Sequence, residues 1–203
     1  MRAWALLVVL GLVGGVARAQ TDIAASVYGA FTGTVTGNGV TQSPANQGGA
    51  MVELHHQSNP LVGYAVTYSW NRADQRYTGG QVTCGQVCGN QPMTLTVHVP
   101  ANAHEVTAAW EIGVHMLNLR PFLLAGGGVL FHQPALSSSA TKDHTAGVLV
   151  YGGGVDFGLA PHLGIRAQYR GNVYSAPQLS TAFSSTKAFF NTAEPMVGAY
   201  LRF

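Results

Sequence analysis

Charge is what this sequence most lacks. Asp, Glu, Lys and Arg make up 9% of its 203 residues, against about 25% in ordinary water-soluble domains. Such a chain cannot coat a water-facing surface with Lys and Glu. Long apolar runs are also missing. Beyond residue 19 no stretch approaches the ~20 consecutive apolar residues that a membrane-spanning helix needs. A chain too poor in charge for water and without a spanning helix has one common solution. It is a closed β-barrel, in which every backbone N–H and C=O finds a partner without water. Cysteine is scarce, with two in the chain, whereas Gly is abundant at 26. Gly at that level without a collagen period suits strands, tight turns and a crowded barrel interior.

The first 19 residues form a separate unit. Arg2 is a short basic start, Ala3 to Val13 is apolar, and Ala17-Arg18-Ala19 has the small-x-small pattern of a cleavage site. The expectation is a signal peptide over 1–19 and one barrel domain over 20–203. Removal of residues 1–19 leaves 184 of the 203 and takes Arg2 and Arg18 with it, so Lys+Arg falls from 10 to 8 against 8 acids. The mature chain is then near neutral, and no basic stripe for nucleic acid remains.

What is present is alternation of period two. In Leu61 to Asn71, Val62, Tyr64, Val66, Tyr68 and Trp70 share one face, while Gly63, Ala65, Thr67, Ser69 and Asn71 share the other. His104 to Met116 repeats it: Val106, Ala108, Trp110, Ile112, Val114 and Met116 oppose Thr107, Ala109, Glu111, Gly113 and His115. Leu163 to Tyr174 is a third copy, with Leu163, Ile165, Ala167, Tyr169 and Val173 opposite Gly164, Arg166, Gln168, Arg170 and Asn172. A membrane barrel places the apolar and aromatic face in lipid and the small or polar face in the lumen. Weaker segments supply strands at about Asp22 to Gly33, Gly49 to Gln57, Leu119 to Phe131, Ala146 to Leu159 and Thr192 to Phe203. Both faces of Leu119 to Phe131 are apolar or Gly, so its facing stays open.

Eight strands leave seven connections. Ser58-Asn59-Pro60, Leu117-Asn118 and Ala160-Pro161-His162 are short and made of turn residues. Thr34 to Gly48, Arg72 to Ala103, His132 to Thr145 and Ser175 to Asn191 are long and rich in Ser, Thr, Gly, Asn and Gln, which reads as loop. Short and long alternate strictly, as short periplasmic turns and long external loops do. The fold expected is all-β: an eight-stranded antiparallel up-and-down transmembrane barrel.

The chain ends Gly198-Ala199-Tyr200-Leu201-Arg202-Phe203. This resembles the C-terminal signal of outer-membrane barrels, and it implies that Gly198, Tyr200, Leu201 and Phe203 are read by the barrel-assembly machinery. The stretch from Ile23 to Phe203 resembles the small outer-membrane β-barrels of the OmpA and OmpX types. The quoted ending, Arg120 to Gly128, Tyr151 to Asp156 and His162 to Arg170 carry that resemblance. It implies a monomer in the bacterial outer membrane, in contact with its lipid, with no cofactor and a structural or surface-interaction role. A narrow passive channel is the alternative.

Three groups of residues invite a chemical reading. Cys84 and Cys88 lie in the longest connection, and in an exported chain two nearby cysteines read as a disulfide. The metal reading would recruit His98 and His104, but the tight second pair that zinc sites use is missing. His55-His56-Gln57-Ser58-Asn59 resembles the His-x-Ser-Asn segment of outer-membrane lipid A deacylases, which implies His56 as base, Ser58 as nucleophile and Glu53 or Glu111 as the orienting acid. Asn59-Pro60 also explains itself as turn chemistry. Glu53, Glu111, Asp156, Arg166 and Arg170, with Glu194 and Arg202, fall on inward faces. In a lumen only wide enough for side chains, such charges must pair. A lysine placed at inward Thr67 is expected to find Glu53 or Glu111.

Overall fold

A computed structural model of the chain describes residues 20–83 and 92–203. The expected signal peptide, Cys84 and Cys88 lie outside these residues. The described residues form twelve strands and no helix: β1 (Gln20–Thr32), β2 (Val35–Gly37), β3 (Val40–Pro44), β4 (Gln47–Gln57), β5 (Val62–Arg72), β6 (Gln75–Thr83), β7 (Pro92–Val99), β8 (Ala101–Gly113), β9 (Leu119–Pro134), β10 (His144–Ala160), β11 (Leu163–Ser175) and β12 (Phe189–Arg202). Eight of them close into an antiparallel barrel in the order β1-β12-β11-β10-β9-β8-β5-β4. β1 completes the ring, pairing with β4 through Ala24↔Glu53 and with β12 through Ala24↔Tyr200. Closure leaves the barrel without an edge.

The alternation places the side chains as expected. On β5, Tyr64, Val66, Tyr68 and Trp70 are each more than 40% exposed, while Ala65, Thr67 and Ser69 are at most 3% exposed. β8 and β11 follow the same rule. β9, whose facing was open, turns Arg120, Phe122, Leu124, Leu130 and His132 inward and Leu119, Leu123, Val129 and Phe131 outward. Its glycines sit where strands press together. A Cβ on Gly126 would collide with the Ala108 carbonyl, and one on Gly128 with the Val106 carbonyl.

The short connections are turns at the end of the barrel that carries Gln20 and Phe203. Asn59 Oδ1 accepts the N–H of Leu61 at 2.9 Å and of Val62 at 2.8 Å, the Asx chemistry expected of Ser58-Asn59-Pro60. At the opposite end the expectation fails for two of the four connections. Thr34 to Gly48 and Arg72 to Ala103 were expected as loops, but they carry β2, β3, β6 and β7, a second sheet in the order β2-β3-β6-β7. Their Ser, Thr and Gln content suggests loop, yet Thr alternating with Val and Tyr suits a half-buried pleat better. Asn38 and Gly39, at φ 51° and 74°, form the two-residue turn between β2 and β3. The inner face of this sheet packs Val40, Tyr77 and Val99 against Leu179 and Phe183 of the β11–β12 connection.

Candidate functional site

The inward side chains of the barrel build a charged circuit. Asp22 Oδ2 of β1 meets His55 Nδ1 of β4 at 3.0 Å, and His55 Nε2 lies 2.9 Å from Glu111 Oε2 of β8. Arg120 Nη1 of β9 lies 3.2 Å from that Glu111 oxygen and 3.3 Å from Asp156 Oδ2 of β10. Arg166 of β11 donates from Nε to Asp156 Oδ1 at 2.7 Å and from Nη2 to Asp156 Oδ2 at 3.0 Å. Its Nη2 stands 3.7 Å from Asp22 Oδ1, which closes the circuit, and its Nη1 pairs with Glu53. Six strands thus contribute seven charged side chains, two of them, His55 and Glu53, from β4. Of the remaining two, β5 makes room and β12 covers the circuit. A Cβ on Gly63 of β5 would come within 2.8 Å of His55 Nε2. On β12 the Tyr200 ring, 5.8 Å from the Arg166 guanidinium carbon, lies over Gly164 of β11, where a Cβ would strike it. His55 faces a carboxylate at each ring nitrogen. A neutral imidazole would set a bare lone pair against one of them, so the doubly protonated ring is the form that matches both.

A second layer lies toward the external sheet. Arg170 Nη1 donates to Thr67 Oγ1 at 3.1 Å, and its Nη2 donates to Thr107 Oγ1 at 2.9 Å and to Glu105 Oε1 at 3.2 Å. Asn172 Nδ2 donates to Glu105 Oε2 at 2.9 Å. Beside these charges an apolar cluster of Leu124, Leu130, Val148, Val150, Tyr174 and Phe190 packs inside the bore. The cavity left at that level, between Glu105, Glu194, His132 and Tyr174, measures about 30 Å³, room for about one or two water molecules. At the other mouth an open bowl of about 330 Å³ is lined by His115, Arg120, Asp156, Tyr200 and Arg202. Burial lowers the pKa of His115, which stands in the β8–β9 turn.

All five charges expected in the lumen, Glu53, Glu111, Asp156, Arg166 and Arg170, are inside and at most 4% exposed. Glu194 joins them, while Arg202 is half-buried at the mouth. Asp22, His55, Glu105 and Arg120 were missed. Two of them share the parity of an inward neighbour already recognised: His55 that of Glu53, Glu105 that of Glu111. Of the C-terminal residues, Gly198 lies against β1, Tyr200 is buried, and Leu201 and Phe203 face outward at 52% and 73% exposure. The structure does not bring the hydrolase residues together. His56 points outward, its Nδ1 3.1 Å from Thr21 Oγ1 and its ring 5.1 Å from Tyr64, while Ser58 is exposed in the turn. Glu53 and Glu111 are on the opposite side of the wall, held by Arg166 and by Arg120 with His55. His98 bonds Arg76 Nε at 3.1 Å and His104 bonds Tyr68 Oη at 2.8 Å. No cluster able to hold a metal exists among the described residues.

Among solved structures the chain is similar to Neisserial surface protein A, with a TM-score of 0.59 and 15% identity over 90% of this chain and 97% of that one. The outer membrane protein OprG from Pseudomonas aeruginosa aligns with a TM-score of 0.58 and 11% identity over 91% and 96%. Ail, the attachment invasion locus protein of Yersinia pestis, aligns with a TM-score of 0.50 and 15% identity over 91% and 99%. No family model matches the sequence, and no curated protein matches it. At these identities the likeness is one of fold: the chain has the fold of the small eight-stranded outer-membrane barrels, as the sequence resemblance implied.

Proposed function

We propose that this chain is a non-enzymatic barrel of the bacterial outer membrane, exported with a cleaved signal peptide, whose role is structural or interactive at the cell surface. One observation carries the reading: the polarity of the barrel is inverted relative to a water-soluble protein. Six of the eight acids, Asp22, Glu53, Glu105, Glu111, Asp156 and Glu194, are buried in the bore. Val27, Val66, Trp110, Ile112, Leu123, Leu149 and Val197 stand outward, each more than 40% exposed. Left in water, that wall would be an apolar patch far beyond what monomers tolerate. In lipid it is the required surface. The fold neighbours, a surface protein and an outer membrane protein among them, agree with the placement.

The closed bore supports a structural role over a channel. An ion would have to break the Arg166 and Arg120 pairs and pass the buried apolar cluster around Leu124, Leu130 and Phe190. Opening such pairs inside the barrel leaves buried charges uncompensated. Planar bilayers holding the purified full chain are therefore expected to show no discrete conductance steps. The lipid A deacylase alternative is disfavoured by the separation of His56 and Ser58 from Glu53 and Glu111; intact lipid A in cells expressing the chain, by mass analysis, is the expected result. Assembly is proposed to use the outer-membrane barrel machinery reading Gly198, Tyr200, Leu201 and Phe203, and the product to be a monomer without cofactor or nucleic-acid partner. The deciding test is lipid contact. A spin label at Val66 is expected to be reached by oxygen dissolved in the bilayer and one at Thr67 to be shielded; equal accessibility would overturn the membrane placement.

A further inference from the structure

The bowl at the turn end of the barrel is built by three elements. The β8–β9 turn brings His115, Leu117 and Asn118, the end of β10 brings Gly158 and Ala160, and the end of β12 brings Tyr200 and Arg202. Its floor is the charged circuit, met at Arg120 and Asp156. On the membrane placement proposed above, on which this reading rests, the bowl opens to the periplasm. Its volume of about 330 Å³ is at the small end of ligand-sized cavities, roughly 300–1,000 Å³.

Hydrogen-bond donors are in surplus there. Asp156 is fully engaged: its Oδ1 accepts from Arg166 Nε at 2.7 Å, and its Oδ2 accepts from Arg166 Nη2 at 3.0 Å and from Arg120 Nη1 at 3.3 Å. Arg120 is 3% exposed and serves both Glu111 and Asp156 through Nη1 alone. Its Nε and Nη2 are buried and meet no hydrogen-bond partner among the described residues, and the same holds for Arg202 Nε. Arg202 is positioned by stacking, its guanidinium carbon 5.2 Å from the centre of the Tyr200 ring. A buried N–H without an acceptor is costly, so these donors call for one from outside. Gly158 keeps the space for it. Unlike Gly126 and Gly128, it is not demanded by packing: a Cβ there would come no nearer than 3.8 Å to the Asn118 carbonyl oxygen or 4.0 Å to Tyr200 Oη. What its bareness preserves is the bowl itself.

Charge narrows the class of ligand. The circuit sets Asp22, Glu53, Glu111 and Asp156 against His55, Arg120 and Arg166, and Arg202 at the mouth makes the balance even. His115, which burial keeps neutral, adds nothing to it. One negative charge is therefore tolerated where two are opposed. The planar guanidinium fork suits a carboxylate held by two parallel bonds. The rim above it, Leu117, Ala160 and Pro161, is apolar and exposed.

We infer that the bowl binds a monocarboxylate with an aliphatic body, its head on Arg120 and Arg202 and its body against Leu117, Ala160 and Pro161. Such a group comes from a free short-chain acid or from the C-terminal end of a peptide. The circuit closes the bowl on its inner side, so the ligand enters and leaves by the same mouth.

The test uses the full chain in nanodiscs of zwitterionic phospholipid, with ligand contact read by saturation-transfer NMR and empty nanodiscs as the baseline. The probes are butyrate, N-acetyl-alanyl-alanine and the C-terminal amide of that peptide, with inorganic phosphate as competitor. One or both carboxylates are expected above the baseline and the amide at it; phosphate is expected to displace them at least tenfold less well than unlabelled ligand does. Tighter binding of the peptide names a chain terminus as the source and tighter binding of butyrate a free acid, and either supports the inference. Arg202→Gln is expected to weaken binding about tenfold, the loss of one charge-assisted pair. Gly158→Val keeps both arginines and fills the bowl; it is expected to weaken binding about tenfold while the barrel's unfolding midpoint stays put. Neither carboxylate above the baseline, amide and acid alike, phosphate displacing as well as the ligand itself, or indifference to both variants would overturn the inference. The amide decides even if a variant fails to fold. Failure here with the Val66 label still in contact with lipid leaves the proposed function standing; a shielded Val66 label removes the membrane placement and this reading with it.

Discussion

Two polar networks in this molecule solve the same problem differently. In the bore the network is ionic: Arg166 alone touches Asp22, Glu53 and Asp156. Beneath the external sheet it is neutral. Gln42 Nε2 donates to Gln75 Oε1 at 2.9 Å and to the Pro177 carbonyl at 2.8 Å, while Tyr77 Oη donates to that carbonyl at 2.6 Å and accepts the Leu179 N–H at 2.9 Å. The bore is bounded by strands and lipid, so its charges are held chiefly by each other. The external sheet stands in water, where amides and hydroxyls suffice to fix a loop. Most of the chain's acids, six of eight, are concentrated in the one place where they set which inward faces meet.

The largest expected effect comes from breaking the ionic network. Arg166→Met leaves Glu53 and one side of Asp156 without a cation in a closed bore. Removing one partner of a buried pair costs about 3–5 kcal/mol. Urea unfolding of the barrel in vesicles should register that loss. A variant as stable as the parent would mean that water, and not Arg166, neutralises these acids.

Next is the outward wall. Val66→Arg is expected to cost about 2–4 kcal/mol, the penalty for a base at the bilayer midplane, in the same unfolding measurement. Thr67, its inward neighbour, shows what the sequence could not reveal. A lysine there was expected to meet Glu53 or Glu111. The structure pairs Thr67 with Glu53 across β4 and β5, as expected, but also puts Thr67 Oγ1 3.1 Å from Arg170 Nη1, with Thr107 across from it. Thr67→Lys thus gains Glu53 but faces the like charge of Arg170 and loses the hydroxyl bond to it, so it is expected to destabilise, by less than Val66→Arg. Equal stability of parent and Thr67→Lys would show that Arg170 has room to move away.

Which face a strand turns inward was legible wherever apolar and polar residues alternate, because alternation is local: Glu53, Glu111, Arg166 and Arg170 could be placed from their immediate neighbours. Which charge meets which was not, because that depends on shear around a closed barrel. His55 reaches Glu111 only because β5 carries Gly63 between them. Arg120 was overlooked because Arg120 to Gly128 is apolar or Gly on both faces and gave no parity to follow. The external sheet was missed for a different reason. Thr and Gln serve both loops and water-facing strands, so composition could not separate the two. The signal that could have done so was Asn38-Gly39 between Val35-Thr36 and Val40-Thr41, a two-residue hairpin turn with alternating flanks.

The smallest expected effect tests whether the neutral network is separate from the ionic one. Tyr77→Phe removes the hydroxyl that holds both Pro177 and Leu179, and it leaves the stack on Phe183, 5.9 Å between ring centres, intact. A neutral hydrogen bond is worth about 0.5–1.5 kcal/mol net, so the loss should be of that order. It should be confined to faster amide exchange in β3, β6 and residues 177–183, with the barrel's own unfolding unchanged. The pH dependence has a defined sign. Burial raises the Tyr77 phenol from 10.0 to about 12. A raised folded-state pKa gives stability that is fully present below pH ~10 and is lost as pH rises through about 12. Amide protection of the external sheet in the parent should therefore fall over that window by more than the general base catalysis of exchange accounts for, and in Tyr77→Phe this extra fall should vanish. If the barrel strands loosen together with the sheet, the two networks are one cooperative unit, and the comparison that opened this section does not hold.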